Sequence, residues 1–328
     1  MGRNCRSSIR FGLLTAALLA AGALPVHAAE RYPSRPIRVI VPFPPGGSTD
    51  FNARAIQDKL TEQLGQQIVI DNRGGASGQI GTKLVKDSTP DGYTLLVHTI
   101  AFVTSPILYD NAGYDPVKDF MPVTMISQVP TTVSVHPSVP VHSVKELLAL
   151  ARSKPDQLIY ASSGIGTNSH ITGELFNLMG NTSIRAIQYK GGGPALAAVV
   201  SGEVQIGFSN ITQTARMAEA GRVRMLAVSS LKRSPSAPNL PTVAESGLPG
   251  FEMAAWHIIA APRDTPATII KTLNEKVRAT LKDPVVVQRY DKGGMEYFSS
   301  TPQETIAYLM NEQAKWSRVI RERKMKGE

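Results

Sequence analysis

Apolar positions along the chain follow two alternating periods. Short apolar runs of strand length alternate with segments in which apolar residues recur every three or four positions. Ile37–Val41 is the first run. The segment after it carries Ala53, Ile56, Leu60 and Leu64 on one helical face and stops at Gly65, a residue type that ends helices. Residues 67–70 read as the next strand, and a helix showing Ile80, Leu84 and Val85 on its inner face follows. Asp91-Gly92 then turns the chain into a strand at 93–98. This βαβαβ order predicts a parallel sheet covered by helices. Phe120–Val135 reads as extended despite Pro122 and Pro130, as a crossing between two lobes would.

The second half repeats the plan. Ser143-Val144-Lys145-Glu146 is a capping box ahead of Leu147, Leu148, Leu150 and Ala151. Strands are predicted at 158–161, 184–188, 204–208 and 223–228. One intervening helix shows Ile171, Leu175 and Met179 and closes at Gly180. A second starts with Pro194 as its first helical residue, and a third spans 211–220. Residues 232–250 are an irregular connection rich in Pro, Ser and Gly, and 254–261 is a second extended crossing. Two helices end the chain. One begins at Pro266. The other has Thr301 as N-cap, Pro302 at its first position and Glu304 two residues on, with Ile306, Leu309, Met310, Gln313, Trp316 and Ile320 facing inward. The basic residues from Arg318 to Lys326 read as its solvated end.

Glycine- and hydroxyl-rich loops follow the predicted strands at 42–49, 71–79, 162–169 and 190–194. In the first, VIVPFPPGGSTD, three prolines hold the backbone extended. Two glycines leave room beside the main chain, and Ser48, Thr49 and Asp50 are capping residue types. Strand, turn and helix start gather free N–H groups and the positive end of a helix dipole, which suits an anion. The alternative for any one such loop is a turn that caps its own helix. In open α/β sheets ligands sit beyond the carboxyl ends of the strands, where all four loops lie, so a cleft between two lobes is the expected site.

Composition adds an address. The chain has 328 residues, 42% hydrophobic, enough for two domains with sizeable cores. Arg3, Arg6 and Arg10 precede an alanine-rich apolar stretch ending at Val26-His27-Ala28, the pattern of a secretory signal peptide over residues 1–28. Cleavage after Ala28 removes Cys5, the only cysteine, and three arginines, which takes the formal charge from +9 to +6. The expected product is a periplasmic, monomeric protein without disulfides. Its modest basicity fits anionic solutes, and nucleic acid is not an expected partner.

Catalytic and cofactor motifs are poorly supported. GxxxxGK[ST] is absent. Gly164-Ile165-Gly166-Thr167-Asn168-Ser169 falls one residue short of a dinucleotide fingerprint, and Gly75-Ala76-Ser77-Gly78-Gln79 fails as a nucleophile elbow. No short metal-ligand pair joins His98, His136, His142, His170 and His257, so no cofactor and no metal are expected. His98 and His170 lie near the loops and are read as structural, as are Trp256 and Trp316 as core. An exported α/β hydrolase using a loop serine remains the alternative from another class. It would need a loop serine beside His98 or His170 with an acid behind. A sensory partner of a membrane protein would share the same fold.

The segments YPSRPIRVIVPFPPGGSTD, DNRGGASG, PDGYTLL, YASSGIGTNSHITGELF, QYKGGGPALAAVVSGEVQIGF, PTVAESGLPGFE and PQETIAYLMNEQAKWSRVI together resemble the Bug-type extracytoplasmic receptors of tripartite tricarboxylate transporters. The resemblance implies a two-lobe periplasmic binding protein fold, type II-like, in which each lobe is a mainly parallel sheet flanked by helices. The expected lobes are 29–128 with 255–328, and 129–254. The expected function is capture of a small organic carboxylate for a membrane permease, with no catalysis. It implies ligand contacts from Phe43, Gly46, Gly47 and Ser48 on one side and Ser162, Ser163, Gly164, Thr167 and Asn168 on the other. Pro45, Ser77, Thr99, Lys190, Ser209 and Asn210 complete the candidate set. Two departures from relatives stand out. Arg73 runs directly into Gly74 where a proline is usual, and Ser209-Asn210 stand where many relatives have an acid. Without that acid a ligand ammonium has no partner, so the expected ligand is a carboxylic acid lacking an amino group.

Overall fold

The computed structural model describes residues 32–293 and 295–327, so the proposed signal peptide lies outside the described residues. β1 (Ile37–Val41), β2 (Ile68–Asn72) and β3 (Thr94–His98) pair in parallel, with α1 (Ser48–Leu64) and α2 (Gln79–Lys86) as crossovers. A helix absent from the sequence reading follows, α3 (Ala101–Leu108). It is mainly apolar, contains Pro106 and buries even its polar residues Thr104 and Ser105, so no amphipathic stripe marks it. The 16-residue β4 (Phe120–Val135) comes next.

α4 (Val144–Ser153) opens on the expected cap, with the Ser143 hydroxyl accepting from Glu146 N–H. β5 (Ile159–Ser162), α5 (Asn168–Gly180), β6 (Arg185–Gln188), α6 (Gly192–Ser201) and β7 (Ile206–Asn210) form a second parallel set. α7 (Ile211–Glu219) and β8 (Arg224–Val228) follow, then β9 (Ala254–Pro262), α8 (Ala267–Leu281), α9 (Pro284–Lys292), β10 (Glu296–Tyr297) and α10 (Pro302–Glu322).

The two parallel sets are joined through β4 and β9, giving the strand order β2-β1-β3-β9-β4-β7-β5-β6. β4 pairs antiparallel with β9 from Phe120 to Pro130, then with β7 and β8 from Thr131 onward. Both extended crossings therefore exist as long strands, and Pro122 is accommodated beside a register shift. Each set has its own aromatic cluster. Phe102, Tyr114 and Phe120 meet at centroid distances of 5.0–6.0 Å. Tyr160, Phe176, Phe208 and Phe251 meet at 5.3–6.3 Å. Trp256 and Trp316 are fully buried, and both indole N–H groups donate to one Glu312 carboxylate oxygen, at 2.7 and 2.8 Å.

Several local expectations need correction. Ile80 and Met310 point outward, 56% and 55% exposed; α2 buries Gly81, Thr82 and Val85 instead, and α10 turns Thr305, Leu309, Glu312, Trp316, Val319 and Ile320 inward. α5 runs through Gly180 and is ended by Asn181 in the left-handed region. α6 begins two residues before Pro194. α9 separates the two helices expected at the end of the chain; Asp283 caps it and Pro284 occupies its first position.

Candidate functional site

A cavity of about 270 Å³ opens where the carboxyl ends of five strands converge. After β1 come Phe43, Pro44, Pro45, Gly46, Gly47 and Ser48, and after β3 comes Thr99. The loop after β5 brings Ser163, Thr167, Asn168 and Ser169. Lys190 and Gly191–Gly193 follow β6, and Phe208, Ser209 and Asn210 end β7. Twelve of the fifteen predicted positions thus line one space: Phe43, Pro45, Gly46, Gly47, Ser48, Thr99, Ser163, Thr167, Asn168, Lys190, Ser209 and Asn210.

Ser77, Ser162 and Gly164 fall outside the lining. The loop after β2 winds into a 3-10 turn (Ala76–Gly78), and the Ser77 hydroxyl lies 3.3 Å from the Tyr109 hydroxyl. Ser162 is buried and donates to Gly164 O, so both shape their loop from behind. Pro194, Ala195, Gln213 and Ala255 also line the cavity and were not singled out. The glycine run that opens α6 pointed to the first two. Gln213 and Ala255 carry no local signal; one lies inside α7 and the other on β9.

Four helices present N-termini without a side-chain cap at this cavity: α1 at Gly47, α5 at Thr167, α6 at Gly191 and α7 at Asn210. Each such end carries roughly +0.5 of an elementary charge and first-turn N–H groups free of intrahelical partners. Of the helices that start elsewhere, α4, α9 and α10 have Ser143, Asp283 and Thr301 accepting from their first turns, while α2, α3 and α8 have no side-chain cap. Among the described residues no Asp or Glu lines the cavity, and Lys190 does.

The first loop is braced from below. Asp50 does not cap α1. As its third residue, it accepts Gly46 N–H at 3.0 Å, the Arg54 guanidinium at 2.9 Å and Asn72 Nδ2 at 3.1 Å. Burial raises the Asp50 pKa, but the Arg54, Gly46 and Asn72 hydrogen bonds outweigh it, and the net shift is downward. Gly46 N–H is thereby committed to Asp50, leaving the turn's anion donors to Gly47 and the residues after it. Gly46 itself sits at φ +85, which favours glycine. Phe43 rests edge-on against His98, centroids 5.4 Å apart. In the second loop Ser163, Thr167 and Ser169 link their hydroxyls, Ser163–Thr167 at 2.9 Å and Ser163–Ser169 at 2.8 Å. Asn168 Nδ2 donates to Thr131 Oγ1, while its Oδ1 has no partner among the described residues.

His98 and His170 are structural. His98 Nδ1 accepts Thr99 N–H at 2.8 Å, and burial lowers its pKa to about 3. His170 Nδ1 accepts Gly166 N–H at 3.0 Å, and burial again lowers its pKa. Neither hydrogen-bonds a loop serine in the described residues. A cavity-lining serine meets a different histidine: His257 Nε2 is 3.2 Å from Ser48 Oγ, and its Nδ1 is 3.0 Å from Ser127 Oγ. A serine stands behind this ring where a triad requires a carboxylate, and burial lowers the ring pKa to about 3, which makes it a poor base at neutral pH.

A mixed α/β architecture of two lobes, with strand-end loops converging on one anion-suited cavity, defines a periplasmic binding protein fold. Solved structures agree. Rpa4515 of R. palustris, determined with adipate, is 38% identical with a TM-score of 0.85, over 90% of this chain and 99% of that one. MatC from Rhodopseudomonas palustris, with bound malate, is 31% identical with a TM-score of 0.82, over 88% and 100%. Protein BugT of Bordetella pertussis is 36% identical over 302 residues, 92% of each chain. The chain belongs to the tripartite tricarboxylate transporter family of receptors, whose family model matches residues 52–325. The family is one of solute-binding receptors and not of enzymes, so the hydrolase alternative falls.

Proposed function

We propose that this receptor captures a small dicarboxylate lacking an amino group and delivers it, as a periplasmic monomer, to the membrane subunits of its transporter. The observation that carries this is the convergence of four uncapped helix N-termini on a cavity without a lining acid. Each carboxylate oxygen accepts about two hydrogen bonds, and main-chain donors supply them without an arginine left unpaired in the empty protein. One carboxylate rests on Gly47 and Ser48. The other is met by Ser163, Asn168 and the glycines after Lys190, with Phe43, Pro45 and Thr99 as walls. Ser162, Gly164 and Ser77 act indirectly, through the loops they shape. Ser209 and Asn210 bring hydrogen bonds but no charge for an ammonium. Adipate and malate, the ligands of the two solved relatives, have this chemistry.

Residues 29–128 with 255–328 form one lobe and 129–254 the other, and β4 and β9 serve as the hinge. Residues 1–28 direct export and are removed in the course of it. Thermal-shift and calorimetric titration of succinate, malate and adipate beside aspartate and glutamate test the ligand class. A ligand at ~100 times its Kd stabilises by about 2.7 kcal/mol, a readily measured rise in melting temperature. Tighter binding of aspartate than of succinate would refute the class. Small-angle scattering should show compaction on binding, and sequencing of the exported protein should start at Ala29.

A further inference from the structure

Ser48 opens α1 and lines the cavity, and behind it stands a histidine that no motif marked. His257 is fully buried on β9, with Nε2 3.2 Å from Ser48 Oγ and Nδ1 3.0 Å from Ser127 Oγ on β4. Because burial holds its pKa near 3, the ring at neutral pH is uncharged, with one N–H and one bare nitrogen. Ser127 decides which nitrogen carries the proton. It too is fully buried, and among the described residues its hydroxyl meets no partner except His257. A proton on Nδ1 would be donated to Ser127 Oγ and would leave the Ser127 O–H buried without an acceptor. A proton on Nε2 pairs every group. Ser127 O–H then donates to Nδ1, and Nε2–H donates to Ser48 Oγ.

We propose that His257, held in its Nε2–H form by Ser127, is a positioning residue that makes the Ser48 hydroxyl a hydrogen-bond donor toward the cavity. A free serine hydroxyl donates or accepts as its ligand requires. One whose lone pair is occupied by a buried N–H keeps its own proton for the open side, so this position selects ligand oxygens that accept. The inference rests on the carboxylate reading of the cavity. It also separates the contact from a nucleophile and base, which would need a bare Nε2 to take the Ser48 proton.

Nitrogen-15 NMR of histidine-labelled apo protein tests the tautomer directly. The expected result at neutral pH is a protonated Nε2 and a bare Nδ1 for His257, with the Nδ1–H form appearing in Ser127→Ala. An Nδ1–H ring in the wild type overturns the proposal. Calorimetry with succinate, malate and adipate supplies the second arm. His257→Gln, whose amide N–H reaches the same oxygen, should stay within about threefold of wild-type affinity, whereas His257→Leu should lose about tenfold or more. In a Ser48→Ala background His257→Leu should cost nothing further; an undiminished loss there shows that the ring acts by packing alone and overturns the proposal. If none of the three acids binds, the carboxylate reading fails while the tautomer measurement still decides the hydrogen-bond polarity. If His257→Leu does not fold, His257→Gln and the NMR of the wild type carry the test.

Discussion

Gly47→Val should abolish ligand binding and leave the fold nearly unchanged. Gly47 has φ −80 and ψ 172, extended backbone open to any residue, and an added Cβ meets only Pro44 O at 3.8 Å. Valine at an N-cap is worse than glycine by about 0.3–1.5 kcal/mol, whereas loss of glycine's freedom in the unfolded chain offsets about 0.4–1 kcal/mol. The net change is about 1 kcal/mol or less, a shift of about 2 °C or less in Tm for a protein of about 300 residues. Binding is another matter, because in the proposed binding mode the branched side chain would stand where ligand oxygens meet the first turn of α1. Charge-assisted hydrogen bonds contribute about 1.5–3 kcal/mol each, so losing two costs about 3–6 kcal/mol. That corresponds to an affinity lower by about 10²–10⁴-fold. Calorimetry with whichever dicarboxylate binds the wild type, beside thermal melting of both apo proteins, reads the two effects separately. Gly46→Val, at φ +85, is the control that should lower Tm further. Wild-type affinity in a folded Gly47→Val protein would show that the turn merely reverses the chain.

Acid should destabilise the protein before its carboxylates titrate. His98 and His257 have pKa values lowered by burial to about 3 from 6.5, so the folded state prefers their neutral forms. That stability is complete above pH 6.5 and is lost as pH falls toward 3, by up to about 1.4 kcal/mol per pH unit for each ring. Urea unfolding at pH 7, 6 and 5 should show the slope, reduced but not abolished in His257→Gln because His98 and His170 remain; a flat profile contradicts burial of the rings. Glu312→Leu strands two buried indole donors, and at about 1–3 kcal/mol each the loss in urea unfolding should be about 2–6 kcal/mol. A change under about 1 kcal/mol would mean the indoles find other acceptors. Gly173→Ala places a Cβ 2.5 Å from the buried Tyr160 ring. Overpacking of about 1–3 kcal/mol should exceed the roughly 1 kcal/mol gained in helix propensity, and a raised Tm would refute the clash.

What lies within a few residues of itself was legible in the chain. The strand, proline turn and helix from Ile37 to Leu64 follow from residue types, as do the ending at Gly65 and the caps at Ser143 and Thr301. Each depends on hydrogen bonds and steric limits inside one turn or one helical period. The strand-end loops were visible for the same reason, and so most of the cavity wall was too. α3 was not, because a helix buried on every side has no polar face to reveal its period. The outward turn of Ile80 and Met310 was also hidden, since apolar character alone does not say which flank of a stripe meets a neighbour.

Tertiary structure alone decided how distant segments meet. Asp50 looked like a cap until Asn72 and Arg54 drew its carboxylate beneath Gly46. β4 serves both parallel sets because its strand partners lie more than 70 residues away on either route. His257 reaches Ser48 across 209 residues and Ser127 across 130. No local pattern encodes such pairings. They arise when the sheet's register brings β4 and β9 side by side, and buried polar atoms then take the only partners that packing leaves within reach.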